Sequence, residues 1–103
     1  MQKIEFLMLN DDEMMKELIT LSVEHALLKM GTPELELVKS RLKKEYNCEL
    51  SDCLKYPEYL KIILSELFGN AYQDILETIN ERLKKTSMDK PIVRFLTVME
   101  KNS

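Results

Sequence analysis

Only five residues of this chain are glycine or proline, namely Gly31, Pro33, Pro57, Gly69 and Pro91, and the stretches between them carry apolar residues at every third or fourth place. Many short strands would need far more breakers, so the punctuation points to long helices joined by tight corners. Over 103 residues this makes one domain of residues 1–103. Such a chain buries on the order of 60 to 65% of its unfolded surface, enough for a single core. The expected class is all-α, a compact bundle of four main helices with short flanking apolar terminal segments.

The first helix spans residues 12–30, with Asn10, Asp11 and Asp12 offering cap oxygens and negative charge and Gly31 as the stop. Glu13, Glu17, Thr20 and Glu24 form its polar stripe, and Met15, Ile19, Val23, Ala26 and Met30 its apolar one. A second stripe of Met14, Leu18, Leu21 and Leu28 is expected to widen the buried arc. Thr32 as N-cap and Pro33 open the second helix, which faces inward through Leu35, Val38, Leu42 and Tyr46. Asn47 ends it in the left-handed conformation. In the connector 48–56, Leu50 and Leu54 plug the core and Ser51 caps a single turn. Pro57 opens the third helix, with Leu60, Ile63, Leu64, Leu67 and Phe68 inward, and Gly69 closes it. Asn70 and Gln73 have capping-box spacing for a fourth helix of Tyr72, Ile75, Leu76, Ile79 and Leu83.

The ends admit two readings. After Pro91, Ile92, Phe95, Leu96 and Met99 fit a short helix, although the β-branched residues around them also suit a strand. The stretch "KIEFLML" at 3–9 reads as a strand with Ile4, Phe6 and Met8 on one side. It could pair with the C-terminal "IVRFLTVM" or with another chain, and a homodimer through these segments is expected.

The corner "ELFGNAYQDI" raises the question of a DNA-reading helix-turn-helix, since Ser65, Gly69 and Ile75 approach that pattern. Its second helix would present Asp74 and Glu77 to phosphates and no arginine to guanine, and Asn70 and Thr78 occupy positions usually apolar. Two packing helices reversing at a glycine explain the same residues. A net charge of -3 also opposes a broad grip on nucleic acid. The basic run Lys39, Arg41, Lys43, Lys44 is interleaved with Glu36 and Glu45, which suits a solvated face or a dock for an acidic partner segment. A nucleic-acid regulator using that run together with Arg82, Lys84 and Lys85 is the alternative.

Catalytic chemistry lacks its parts. His25 is the sole histidine and reads as a half-buried side chain beside Leu18, Leu21 and Leu28. Cys48 and Cys53 match neither a zinc knuckle nor a redox pair and read as free thiols. No glycine-rich phosphate loop or nucleophile elbow is present. No enzyme, cofactor or metal is expected. A small-ligand pocket around His25 and the tyrosines is a third reading. No apolar run approaches the roughly 18 residues that span a bilayer, and no signal-peptide order opens the chain, so a cytoplasmic location is expected. Tyrosines favour interfaces, and five of the 7 methionines fall in the first third of the chain, as core filler or as an adaptable partner surface. The candidate partner-contact residues are Lys39, Arg41, Lys43, Lys44, Tyr56 and Tyr59.

Residues 25–85 resemble a small archaeal helical family, the fifth of the output domains named after Nitrosopumilus. The likeness rests on "HALLKMGTPELELVKSRLKKEYNCEL", "YPEYLKIILSELFG" and "AYQDILETINERLKK". The family's Leu-Gly-type stop corresponds to Met30 and Gly31, its Lys-Lys-Glu-Tyr-like end to Lys43 through Tyr46, and its Ile-Phe-Gly-like corner to Leu67 through Gly69. The match covers about three fifths of the chain. It implies a helical domain of archaeal signalling proteins that acts by contacts, with no catalytic residues to carry over. Members are often appended to receivers or sensors, for which 103 residues leave no room.

Overall fold

A computed structural model describes residues 11–86 and 89–101, which form five α-helices and two 3₁₀ turns with no strand among the described residues. The helices are α1 (Asp11–Leu28), α2 (Thr32–Tyr46), α3 (Pro57–Phe68), α4 (Tyr72–Thr86) and α5 (Lys90–Glu100). The all-α bundle read from the apolar spacing is therefore present. The C-terminal segment takes the helical option. Residues 3–9, Asn10 and part of the 86–90 link lie outside the described residues.

The buried side chains form one cluster in which Ile19, Val23 and Leu27 of α1 meet Leu42, Leu60, Ile63, Leu64, Ile79, Leu83, Ile92 and Phe95. The main partners of α1 are α4 and the 3₁₀ turn Leu50–Leu54, while α3 lies against α2 and α5. Leu50 and Leu54 fill the core as their spacing suggested. Ser51, however, caps nothing. The turn is closed by a reciprocal box in which the Glu49 side chain accepts from the Asp52 amide and the Glu49 amide donates to Asp52 Oδ2 at 2.9 Å. A carboxylate pair three residues apart satisfies both exposed amides, which one serine hydroxyl cannot do.

Asn47 adopts the left-handed conformation at φ 53° and ends α2, its amide donating back to α2 carbonyls. Helix α1 stops at Leu28, so Met30 falls in the turn and is exposed instead of facing inward. Gly31 then sits at φ 145°, ψ 160°, a region open almost only to glycine, and takes the N-cap place expected for Thr32. Gly69 at φ 36° reverses the chain within one residue. The backbone re-enters a helical turn at once, as the 3₁₀ turn Gly69–Ala71 running into α4. Asn70 consequently lies inside that turn, and the capping box expected of Asn70 and Gln73 lacks the extended residue it requires.

Tyr72 and Met99 tie the last two helices together. The buried Tyr72 hydroxyl donates to the Met99 carbonyl at 2.6 Å, and Lys61 Nζ reaches the Lys101 carbonyl from α3. No helix of the described residues is long and apolar enough to cross a membrane.

Candidate functional site

Helix α1 has more apolar residues than the interior can take. Its core face is Met15, Ile19, Val23, Ala26 and Leu27, all buried. The second stripe, expected to widen that buried arc, lies on the outer side: Leu21 is 43% and Leu28 50% exposed, with Met14 and Leu18 half-buried. The reason is geometric. α4 and the Leu50–Leu54 turn are the main partners of α1, and among the described residues Leu21, His25 and Leu28 are left uncovered. His25 shares this outer stripe and is exposed, not half-buried as its apolar neighbours suggested.

Two depressions flank the stripe. Toward α4 a groove of about 280 Å³ is lined by Leu18, Leu21, Ser22, Arg82 and Lys85. Toward α2 an open cleft of about 430 Å³ brings Glu17, Glu24 and Glu49 together with Lys39 and Lys43. Cations and carboxylates thus share its walls. A polypeptide segment carrying both signs suits such a cleft better than a polyanion does.

The residues singled out from the sequence divide into separate groups. Lys39 and Lys43, one turn apart on α2, reach the cleft beside α1. Arg41 points elsewhere, bonding Glu45 on its own helix and Glu66 Oε1 on α3 at 2.6 Å. Those carboxylates, Glu45 first, hold its pKa above the already high ordinary value. Arg41 is therefore a link between α2 and α3. Lys44 is exposed and joins neither group. Tyr59 stacks on Tyr46 with centroids 4.1 Å apart and planes 3° apart, and Tyr56 stacks on Tyr59 at 5.3 Å. Two of these rings are half-buried, so the ladder is mainly a packing device, with Tyr56 as its open end.

That open end borders a third cleft, of about 570 Å³, lined by Lys55, Lys90 and Arg94 together with Tyr56, Pro91 and Asp12. Arg94 Nη1 also donates to the Lys55 carbonyl at 3.5 Å. Sequence reading missed this cluster because Lys55 comes from the connector before α3 and Lys90 and Arg94 from α5. No local run of charge announces it.

Cys48 and Cys53 are free and buried. Burial pushes the Cys53 thiol up to about 12, with Cys48 and Asp52 adding to the shift, so it stays protonated and weakly nucleophilic near neutrality. Cys48 is raised as well, by burial first and by Asp52 second. Among the described residues no three His, Cys, Asp or Glu side chains converge as a metal-holding group. Comparison with protein-family models, with curated proteins and with solved structures finds no match for this chain. The likeness to the Nitrosopumilus output domains accordingly stands on the quoted residues alone.

Proposed function

We propose that this chain is a non-enzymatic protein-interaction module and that the outer face of α1 is its docking surface. One observation carries the reading: Leu21 and Leu28 stand half exposed on the outer face of α1 with the half-buried Leu18 beside them, and charged depressions lie on both sides of that face. Scattered surface leucines are ordinary, whereas a continuous apolar strip with a polar rim is how interaction sites are built. The likeness to an archaeal signalling output family supports a regulatory setting in the cytoplasm, where such a domain acts by contact.

The test compares wild-type chain with a Leu21→Glu, Leu28→Glu variant. Both positions are half exposed, so the melting temperature should hold while captured partners are lost. Retention of the same partners by the variant defeats the reading. So does a marked fall in its melting temperature, which would mean that the strip is already covered within the chain.

A second reading, a binder of nucleic acid, draws on the cluster of Lys55, Lys90 and Arg94 around the exposed Tyr56, because cations beside a stacked ring suit a single strand. Against it stand Asp12 in the same cleft and the net charge of -3. Titration with duplex and single-stranded DNA at two salt concentrations decides. Counterion release makes binding strongest at low salt, and no binding there removes this reading.

A further inference from the structure

We propose that the occupant of the α1 face is a second copy of this chain, its α1 lying parallel to the first about a twofold axis. The inference rests on reading the outer face of α1 as a docking surface, and names the partner. Along that face Met14, Leu18, Leu21, His25 and Leu28 recur at alternating intervals of four and three residues. This is the spacing by which a helix meets an identical helix in a left-handed supercoil. Leu18 also packs against the core, but Leu21, His25 and Leu28 stay exposed, because Met15, Ile19, Val23 and Ala26 supply the inward face. Helix α1 therefore carries two seams, one filled within the chain and one open among the described residues.

Charge selects the orientation. At 3.6 residues per turn, Glu17 and Glu24 border the open seam on the α2 side, whereas Ser22 and Lys29 border it on the α4 side. On that second side Arg82 and Lys85 line the groove next to Leu18 and Leu21. An axis parallel to the helices sets the acidic border of each copy against the basic border of its mate. Glu24 then meets Lys29, and Glu17 meets the rim at Lys85. An antiparallel pair would instead set glutamate against glutamate and cation against cation. Lys39 and Lys43 stand farther out, across the cleft from Glu17 and Glu24, and Asp74 shares a hollow with Lys29. Neither lies on the seam itself.

The seam runs from Met14 to Leu28, about 21 Å of helix at ~1.5 Å per residue. A single pair of helices over that length buries less than the ~1,200 Å² of a stable dimer, so exchange between monomer and dimer is expected. The two His25 side chains face each other within it. A polar pair at such a position fixes register and lowers affinity.

Sedimentation equilibrium of the purified full chain, from about 10 μM to about 1 mM, should show the mass rising from monomer to dimer. Leu21→Glu should raise the dissociation constant by about thirtyfold with helix content unchanged, since each of two leucines forfeits about half of a full burial. His25→Leu should tighten the dimer. Glu24→Lys should weaken it, and adding Lys29→Glu should restore it. A monomer mass at every concentration overturns the proposal. It leaves the docking reading intact if Leu21→Glu, Leu28→Glu still abolishes capture of a different protein, and it assigns the face to residues 4–9 of the same chain if Leu21→Glu lowers the melting temperature. A dimer indifferent to Leu21→Glu overturns it too, placing the contact elsewhere, for instance in the terminal segments. A Glu24→Lys variant that associates more tightly overturns the parallel arrangement.

Discussion

Removing one oxygen atom, by Tyr72→Phe, tests the link between the start of α4 and the end of α5. The ring, 8% exposed, keeps its place among the core side chains, so little is lost in packing. What goes is the 2.6 Å hydrogen bond to the Met99 carbonyl. Met99 lies in the last turn of α5, where carbonyls have no partner within the helix, and Tyr72 supplies one from another element. A net hydrogen bond contributes about 1 kcal/mol, and a buried carbonyl left without a donor adds a penalty of similar size, reduced here because water reaches the helix end. The expected loss is about 1.5 kcal/mol, or roughly 8 °C in melting temperature for a domain this small. Urea unfolding followed by far-UV circular dichroism reads it, as a lower midpoint at unchanged slope. A loss under about 0.5 kcal/mol would refute the capping argument. The pH dependence gives a second check. Burial raises the Tyr72 phenol from about 10 to about 12, so the folded state disfavours the phenolate. The contribution is whole below pH 10 and disappears as pH climbs through 12. The advantage of wild type over Tyr72→Phe should therefore shrink across that window and nowhere below it.

Other perturbations separate backbone, packing and reactivity. Gly31→Ala forces a side chain into φ 145°, with the new Cβ 2.7 Å from Glu34 Oε1; the carboxylate can swing away, and the backbone penalty of about 1 to 3 kcal/mol remains in the urea midpoint. Gly69→Ala meets no atom within 4 Å at φ 36°, so its loss, about 1 kcal/mol, reports the left-handed backbone alone. Phe95→Ala, at a fully buried position, should cost about 3 to 5 kcal/mol and free α5 from the bundle, seen as lost helix signal below the main transition. Cys53 should resist alkylation in the native state, at a rate that follows global unfolding; fast labelling at neutral pH would contradict its burial and its raised pKa.

Most of the fold was legible because its signals are local. Pro33, Pro57 and Pro91 stand one or two residues inside the helices they open, Asn47 takes the left-handed cap, and the inward faces of α2, α3, α4 and α5 follow the apolar period. Two kinds of feature were not legible. Caps depend on whether one residue is extended or helical, so Ser51, Thr32 and Asn70 looked suitable, while Glu49 and Asp52 close the connector turn, Gly31 caps α2 and the chain runs into α4 through the turn Gly69–Ala71. Surfaces depend on which neighbours arrive, and α1 has leucines or methionines on most of its circumference. Periodicity identifies those residues as apolar, but only the placement of α4 and the Leu50–Leu54 turn decides which of them are covered. The cluster of Lys55, Lys90 and Arg94 escaped for the same reason, being assembled from the connector before α3 and from α5.

The seam of α1 left open among the described residues follows from an excess of apolar residues over the interior they enclose. The C-terminal "IVRFLTVM" has spent its large side chains inside the fold, with Ile92, Phe95, Leu96 and Met99 buried and only Val93 of its strongly apolar residues markedly exposed. It therefore has little left to offer another chain. Helix α1 is the opposite case, filling its share of the core with one stripe and keeping a second. Nothing in folding alone favours leucine at 21 and 28 over the glutamates found at 17 and 24, because half-exposed leucines add little burial and lower solubility. A heptad-like line of such residues gains stability when another apolar surface covers it.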